Sequence, residues 1–151
     1  MEIAIGYDHT AKRLASVVIT HIESMGFSAV DLCEKNEEPF EYPMIACKVA
    51  EYVAAGEAEL GILICGTGVG VSIAANKVRG IRAVVCSEAY SAKLSKQHNN
   101  TNILCFGARV VGDDVAKMIV DEWLDAEAEG GRHGNRVSMI MKIEERSMEL
   151  A

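Results

Sequence analysis

Short apolar runs alternate along the chain with longer segments in which only one side is apolar. The runs at 2–8, 28–33, 60–65, 82–87 and 102–107 have the length and composition of strands. Apolar residues at helical spacing predict helices at 12–25, 43–55, 88–97 and 113–128, and another from the glycines after residue 65 to residue 77. Strands that alternate with helices predict an α/β fold. We expect a three-layer, Rossmann-like (flavodoxin-like) domain, with five parallel strands and helices on both faces.

The apolar faces of the helices predict which residues reach the core. The face of the first helix consists of Leu14, Val18, Ile22 and Met25, and that of the fifth consists of Val115, Met118, Ile119 and Trp123. Asp113 or Asp114 is predicted to cap the fifth helix, because short acidic side chains accept hydrogen bonds from the free amides of a first turn. An acidic loop is predicted at 34–42.

A tail follows the five-strand unit after a glycine-rich break at 129–134. Apolar residues recur in it at helical spacing, which predicts a tail helix at about 134–149. Its apolar residues are Val137, Ile140, Met141 and Met148. The helix packs either on its own domain or on a second subunit, and the sequence leaves both options open.

Size, charge and cysteine content limit the possible functions. A chain of 151 residues fits a single domain over 1–151, and its net charge of −7 argues against a nucleic-acid partner. No apolar run reaches the roughly 18 residues of a membrane span, and Glu2 stands where a secretory signal is basic. Five cysteines without a C-x-x-C pair favour reduced thiols in a cytoplasmic protein. Cys33, Cys86 and Cys105 are interpreted as small apolar side chains, and the redox role of these three and of Cys47 is left open.

The first place to look for a site is where the winding of the sheet reverses. Open parallel sheets bind ligands there, beyond the carboxyl ends of the strands, and the common order 2-1-3-4-5 makes strands one and three neighbours. Strand one ends in Asp8-His9, and strand three ends at Cys65 before a G-x-G-x-G turn. The turn can bring backbone amides close to a phosphate or an oxyanion, although it is a weak indication alone.

Cys65 has two interpretations. A cysteine that ends an apolar strand is typically a buried side chain with no chemical role. A thiol beside the amides that begin a helix tends instead toward the thiolate, and Thr67, Asp8 and His9 would lie close to it.

Other candidate groups lie late in the chain. His98 and Asn99 belong to a polar cluster before strand five, which is either a solvated helix end or a general acid–base group with a ligand-orienting amide. Arg109 follows strand five, and Arg132 and Arg136 share a face if their stretch is helical. Guanidinium groups suit phosphate, although a single arginine of this kind is more often a surface residue.

Several motifs together resemble a known family. They are Asp8-His9, Glu41-Tyr42-Pro43, residues 61–77, Gly80-Ile81-Arg82-Ala83, Gln97-His98-Asn99 and Glu129-Gly130-Gly131-Arg132-His133. Over residues 3–145 the chain resembles the type B ribose-5-phosphate isomerases, which include the galactose-6-phosphate isomerase subunits. The set of motifs is far more specific than a single glycine turn.

The resemblance implies interconversion of ribose 5-phosphate and ribulose 5-phosphate without a metal or other cofactor. It implies that Cys65 moves a proton from C2 to C1 of the open-chain sugar, and that His98, with Asp8 nearby, helps to open the ring. The groups implied to hold the enediolate are Thr67 and the backbone of Gly66, Gly68, Val69 and Gly70. The groups implied to hold the phosphate are His9, Arg109, Arg132 and Arg136, while Asn99 and Tyr42 position the sugar. The resemblance also implies a homodimer or a dimer of dimers with an active site shared between subunits, which would give the tail helix its partner.

Departures from the family pattern leave alternatives. One branch has a glutamate base where this chain has Val71, so the cysteine branch fits. Tyr7 stands where a small residue is usual, which puts the size of the sugar in question and keeps allose 6-phosphate or galactose 6-phosphate as alternative substrates. A phospho-receiver module would need an aspartate and a lysine where this chain has Cys65 and Gly107.

Overall fold

Five strands and six helices form the part of the chain, residues 1–33 and 41–150, that the computed structural model describes. The strands are β1 (Glu2–Tyr7), β2 (Ser28–Asp31), β3 (Leu60–Cys65), β4 (Ala83–Val85) and β5 (Ile103–Gly107). The helices are α1 (Lys12–Ser24), α2 (Tyr42–Ala54), α3 (Val69–Ala75), α4 (Ala89–Asn99), α5 (Asp113–Asp125) and α6 (Gly131–Glu149). The predicted strands and helices are confirmed, with small differences at their ends. Most of the loop predicted at 34–42 lies outside the described residues.

The strands form one parallel sheet in the order β2-β1-β3-β5-β4. The expected order 2-1-3-4-5 is therefore wrong at one end: β5, not β4, lies beside β3. The burial of the two strands gives the physical reason. Every residue of β5 is buried, as an interior strand requires, whereas β4 has three residues that are all partly exposed. A short, partly exposed strand is tolerated best at an edge of the sheet.

Each face of the sheet has its own core. Helices α1, α4 and α5 cover one face, and α2 and α3 cover the other. Because side chains alternate along a strand, Ile62 and Ile64 of β3 point to the α1–α5 face while Leu63 and Cys65 point to the α2–α3 face. The α/β fold class with helices on both faces is thus confirmed.

The predicted core face of α1 is largely correct, and that of α5 is shifted by one residue. Leu14, Val18 and Ile22 are buried, and Met25 is only partly so. In α5, Ile119 and Trp123 are buried, but Val115 and Met118 are 41% and 57% exposed. Their places in the core are taken by Ala116 and Val120. The buried face of α5 therefore consists of Ala116, Ile119, Val120 and Trp123.

The predicted cap of α5 is also wrong. Gly112 occupies the N-cap position, and both aspartates lie in the first helical turn. The carboxylate of Asp113 instead pairs with the guanidinium of Arg13 in α1, at 2.7 Å. An acidic first turn still complements the partial positive charge at the start of a helix.

The tail helix α6 begins earlier than predicted and contains Gly134 within its first turns. It packs on its own domain along one side, where the carboxylate of Glu144 accepts a hydrogen bond from the Gly80 amide at 3.1 Å. No residue of α6 is buried, and its large apolar residues include Met139, Ile140 and Ile143, which are 64%, 45% and 63% exposed. Among the described helices, none combines the length and apolar character that a membrane crossing needs.

Candidate active site

Three loops meet where β1, β3 and β5 end, at what we call the carboxyl edge of the sheet. The amide of Asp8 donates to the carbonyl of Ile64 at 3.2 Å, and the amide of Arg109 donates to the carbonyl of Gly66 at 3.0 Å. These bonds extend the strand pairing by one residue beyond β1 and by two beyond β5. The residues that follow the three strands are therefore held beside one another, as predicted for Asp8 and Cys65.

Asp8 organises the loop after β1. Its Oδ1 accepts two hydrogen bonds from Thr10, one from the amide at 2.9 Å and one from the hydroxyl at 2.6 Å. A Cβ built on Gly66 would lie 3.8 Å from the Thr10 hydroxyl and 3.7 Å from Nη1 of Arg109. Thr10 and Arg109 thus flank the start of the glycine turn. The predicted phosphate ligand His9 lies next to Asp8 and is exposed.

The thiol of Cys65 points into the glycine turn. The residue is only 5% exposed, and the amide of Gly68 donates to its Sγ at 3.1 Å. This hydrogen bond orients the sulfur toward the turn and not along the strand. Among the other cysteines, Cys105 is fully buried beneath the site, and burial is the main cause that raises its pKa well above the ordinary value. The thiol of Cys65 therefore reaches the glycine turn, whereas the thiol of Cys105 is enclosed in the core.

Glycine is required at two positions because the turn lies directly on the backbone of β5. Gly68 has a φ of +79°, and a Cβ there would lie 2.7 Å from the backbone of Phe106. A Cβ on Gly107 would lie 2.5 Å from Cα of Thr67. Such contacts are far shorter than real side chains show. This close contact between the turn and β5 requires β5 to lie beside β3, and the expected strand order placed β4 there.

Two of the predicted oxyanion donors are already hydrogen bonded within the loop. The amide of Gly68 is used by Cys65, and the amide of Val69 donates to the hydroxyl of Thr67 at 3.3 Å. The side chain of Thr67 and the backbone of Gly66 and Gly70 border the same turn. All three residues are at least partly exposed.

Tyr42 and Tyr7 lie on opposite faces of the sheet. The ring of Tyr42, at the start of α2, covers Gly70 so closely that a Cβ on that glycine would lie 2.7 Å from the ring. Tyr42 therefore borders the glycine turn, as its predicted role requires. The ring of Tyr7 packs against the α1–α5 core, and its hydroxyl donates to Asp31 at 2.9 Å. Tyr7 does not narrow the face on which Cys65 lies.

His98 and Asn99 lie at the other side of the sheet, which we call the amino edge because the strands begin there. They end α4, and the chain then turns directly into β5 at Ile103. A strand of five residues is roughly 17 Å long. His98 therefore does not lie near Asp8 of its own chain, and the expected nearness of these two residues stays a prediction for a site shared between subunits. The separation arises because α4 runs antiparallel to the strands and returns the chain to the edge of the sheet where the strands begin.

Two histidines and a glutamate form a cluster at the amino edge. The rings of His98 and His133 are stacked, with centroids 4.0 Å apart and planes 3° from parallel. Their Nε2 atoms lie 3.9 Å and 3.4 Å from Oε2 of Glu129. Burial is the largest cause that lowers the pKa of His133, and the charges of His98, Arg132 and Arg136 lower it further while Glu129 opposes them.

The two tail arginines belong to the same edge. Because α6 begins at Gly131, Arg132 and Arg136 lie one turn apart on a common face, as predicted. Both are exposed. The structure therefore brings His98, Asn99, Arg132 and Arg136 to the amino edge, whereas the groups around Cys65 lie at the carboxyl edge.

Comparison with known proteins decides which family this arrangement represents. A family model described as Ribose/Galactose Isomerase matches residues 3–140 of the chain. Ribose-5-phosphate isomerase B of Escherichia coli (strain K12) is 56% identical over 145 residues, which are 96% of this chain and 97% of that protein. The chain belongs to the ribose/galactose isomerase family.

Solved structures agree with this assignment. Ribose-5-phosphate isomerase B of Clostridium thermocellum has a TM-score of 0.93 at 48% identity, over 97% of this chain and 99% of that chain. The same enzyme of Mycoplasma genitalium, with bound ribulose-5-phosphate, has a TM-score of 0.89 at 41% identity, over 95% and 96% of the two chains. The resemblance found in the sequence motifs is thus confirmed, and the chain is an isomerase.

Arg82 is a residue of this isomerase whose place the sequence did not reveal. Its Nε donates to the carbonyl oxygens of Asn99 at 3.2 Å and Asn100 at 2.8 Å, and its Nη1 lies 3.5 Å from the sulfur of Met141. Burial lowers the pKa of this guanidinium, while Glu144 opposes the effect. Arg82 thereby ties the end of α4 to α6. The only indication of its importance in the sequence is that it belongs to the motif Gly80-Ile81-Arg82-Ala83.

Proposed function

We propose that this isomerase interconverts ribose 5-phosphate and ribulose 5-phosphate, with Cys65 as the base. The observation that carries the proposal is the orientation of its sulfur into the glycine turn, where the ends of β1, β3 and β5 meet. The relatives named ribose-5-phosphate isomerase B support the choice of sugar. The sulfur accepts a hydrogen bond from the Gly68 amide at 3.1 Å, which holds it at the glycine turn.

The reaction needs one proton to move between neighbouring carbons. Cys65 takes the proton from C2 of the open-chain aldose, and the electrons of that C–H bond move to the carbonyl oxygen at C1, which gives an enediolate. The proton of the C2 hydroxyl moves to the C1 oxygen, and Cys65 returns its proton to C1. The carbonyl is then at C2, so that C1 is reduced and C2 is oxidised. Thr67 and the backbone amides of the turn are proposed to stabilise the charge that develops on oxygen.

The separation of the two edges supports a site built from two chains. His98 and Asn99 cannot reach the sugar at Cys65 of their own chain, because the length of the strands lies between them. We therefore propose a homodimer, alone or paired further, in which the amino edge of the partner subunit covers the carboxyl edge. Ring opening by His98 would then act beside Cys65 of the other chain.

Exposed apolar residues fit such a dimer. On the tail helix they include Met139, Ile140 and Ile143, and around the carboxyl edge they include Val69, Ile73 and Val110. Large apolar surfaces of this kind often mark interfaces between chains. A twofold axis would use each surface twice and create two equivalent sites.

The proposed phosphate site combines cations from both edges. His9 and Arg109 come from the carboxyl edge, and Arg132 and Arg136 come from the tail helix of the partner subunit. Guanidinium groups bind phosphate through paired N–H donors, which explains how a chain of net charge −7 can hold an anion locally. Binding the phosphate also orients the reacting carbons.

A six-carbon sugar phosphate, allose 6-phosphate or galactose 6-phosphate, remains the second candidate substrate. It is favoured by the position of Tyr7, whose ring lies on the face opposite Cys65 and does not shorten the pocket there. Comparison of kcat/KM for five- and six-carbon phosphates separates the two candidates. A clear preference for the larger sugars would replace ribose 5-phosphate as the substrate.

The test of the proposal is a substrate panel on the wild type, Cys65→Ala and Cys47→Ala. The Cys47 variant is a matched control, because it removes a partly exposed thiol from α2 without touching the glycine turn. Loss of a general base typically lowers turnover about 10²–10⁴-fold. We expect that loss for Cys65→Ala with unchanged circular dichroism, and wild-type turnover for Cys47→Ala. Near-normal turnover of Cys65→Ala would refute the role of Cys65.

A further inference from the structure

The histidine–glutamate cluster at the amino edge contains two residues, Glu129 and His133, to which the proposed isomerisation gives no role. Among the described residues, His98, Glu129 and His133 offer one ligand atom each, and these atoms lie within 4.8 Å of one another. Zinc binds imidazole nitrogen and carboxylate oxygen at about 2.0–2.2 Å, which puts neighbouring tetrahedral ligands roughly 3.3 Å apart. The separation of 3.4 Å between Nε2 of His133 and Oε2 of Glu129 already matches that spacing.

We propose that His98, Glu129 and His133 bind a divalent transition-metal ion such as Zn²⁺, with water completing the coordination, and that the ion inhibits isomerisation. Two imidazoles and a carboxylate are the ligand set that such ions prefer. The proposal of a binding site depends only on the geometry of this cluster. The inhibition rests on the proposed function, because it requires that His98 act on the sugar.

Ion binding requires the two rings to leave their stacked arrangement. The lone pair of an imidazole nitrogen lies in the ring plane, so two parallel rings cannot both point at one ion between them. The side chain of His98 is 35% exposed, while that of His133 is only 13% exposed. A cavity of about 240 Å³ borders His98, Gly130 and Gly134 and gives the His98 ring room to rotate. His133 and Glu129 would therefore anchor the ion, and His98 would close on it.

Nearby cations limit the affinity. The charges of Arg132 and Arg136 reach the imidazole of His133, since they contribute to lowering its pKa after burial and His98. The same charges repel a bound cation. Three protein ligands with an open fourth position resemble reversible sites more than closed structural ones. We therefore expect reversible binding that a chelator removes.

The binding test titrates ZnCl₂ and CoCl₂ into the full chain, followed by calorimetry and by visible absorption. The variants are Glu129→Gln and His133→Asn, and the matched control is His21→Asn. His21 also pairs with a carboxylate, at 2.6 Å from Asp121, but within the described part of the chain no third ligand lies beside it. We expect one ion per chain in the wild type and the control. Loss of a direct ligand should weaken binding by more than the 10–100-fold that outer-sphere changes typically cost.

Three results would overturn the site. They are no binding by the wild type, binding that both Glu129→Gln and His133→Asn leave intact, and a sulfur-to-cobalt charge-transfer band, which would assign the ion to cysteine. Circular dichroism of each variant separates lost binding from lost folding.

The inhibition test measures isomerisation of ribose 5-phosphate with and without ZnCl₂ in the same proteins. We expect reversible inhibition of the wild type and His21→Asn, and a much weaker effect on His133→Asn relative to its own metal-free rate. If the ion bound without inhibiting the enzyme, the proposal that it blocks His98 would be refuted, and the proposal of the metal site would stand. Binding by a wild type with no isomerase activity would refute the proposed function, and the calorimetric result would still stand.

Discussion

The two edges of the sheet carry the two halves of the candidate site, and they are built in different ways. At the carboxyl edge, strand pairing and close glycine contacts hold Cys65 and its neighbours within one chain. At the amino edge, His98 and Asn99 end a helix, and the arginines lie on α6, which has no buried residue. The first half is fixed by the sheet itself. The second half is held by the ends of helices, and we propose that it faces another chain.

The largest effect is expected for Gly107→Ala, because the carboxyl edge has no room for a side chain there. A Cβ would lie 2.5 Å from Cα of Thr67, so the glycine turn would have to move. Overpacking of this kind costs about 1–3 kcal/mol of unfolding free energy. We expect that loss in urea denaturation, together with turnover at the level of Cys65→Ala.

Gly112→Ala is the control for this change. A Cβ on Gly112 would meet no atom within 4 Å, and its φ of −82° suits any residue. Because alanine is a poorer N-cap residue than glycine, we expect a loss of less than about 1 kcal/mol of unfolding free energy, with turnover equal to that of the wild type. If Gly107→Ala behaved like Gly112→Ala, the carboxyl edge would not be as rigid as the contacts indicate.

The second-largest effect is expected at the amino edge, for the double variant that combines Arg132→Ala with Arg136→Ala. A hydrogen bond to a charged group contributes about 1.5–3 kcal/mol, so loss of the phosphate contacts should raise KM at least tenfold. Arg146→Ala is the matched control, as an exposed arginine near the other end of the same helix. An unchanged KM in the double variant would place the tail away from the substrate.

The smallest effect is expected for Arg82→Met, which acts through other residues. The change removes the donors that hold the carbonyls of Asn99 and Asn100 and should loosen the end of α4. We expect kcat to fall several-fold with KM nearly unchanged, and Arg82→Lys to recover part of the loss. Arg79→Met is the control, since Arg79 is exposed in the preceding turn. Equal kcat values in the two methionine variants would show that Arg82 does not position His98.

The carboxyl edge could be predicted well from the sequence because it depends on local order along the chain. An apolar strand, a cysteine and three glycines stand next to one another, so the turn and the orientation of Cys65 follow from short-range geometry. Close approach of the turn to Phe106 could not be predicted. It depends on whether β4 or β5 lies beside β3, and a strand pattern does not contain that choice.

The amino edge could be predicted only as a set of residue types. The polar cluster at His98 and the arginine pair were recognised, but the stacking of His98 on His133 joins residues 35 positions apart in the sequence. The position of Arg82 does not follow from the sequence, because its partners are backbone carbonyls, which every residue type provides. The family pattern implies that His98 and Asp8 act together but does not say which chain supplies each residue, and within one chain the two lie at opposite edges of the sheet.

The most direct test of a site shared between chains mixes two inactive variants, Cys65→Ala and His98→Asn, under conditions that allow dimers to exchange. In a mixed dimer one site carries both changes, and the other has Cys65 from one chain and His98 from the other. Random exchange puts half of the chains into mixed dimers, so about a quarter of wild-type turnover of ribose 5-phosphate should return. Activity that stays at the mean of the two separate variants would contradict the account, because each chain would then contain a complete site of its own.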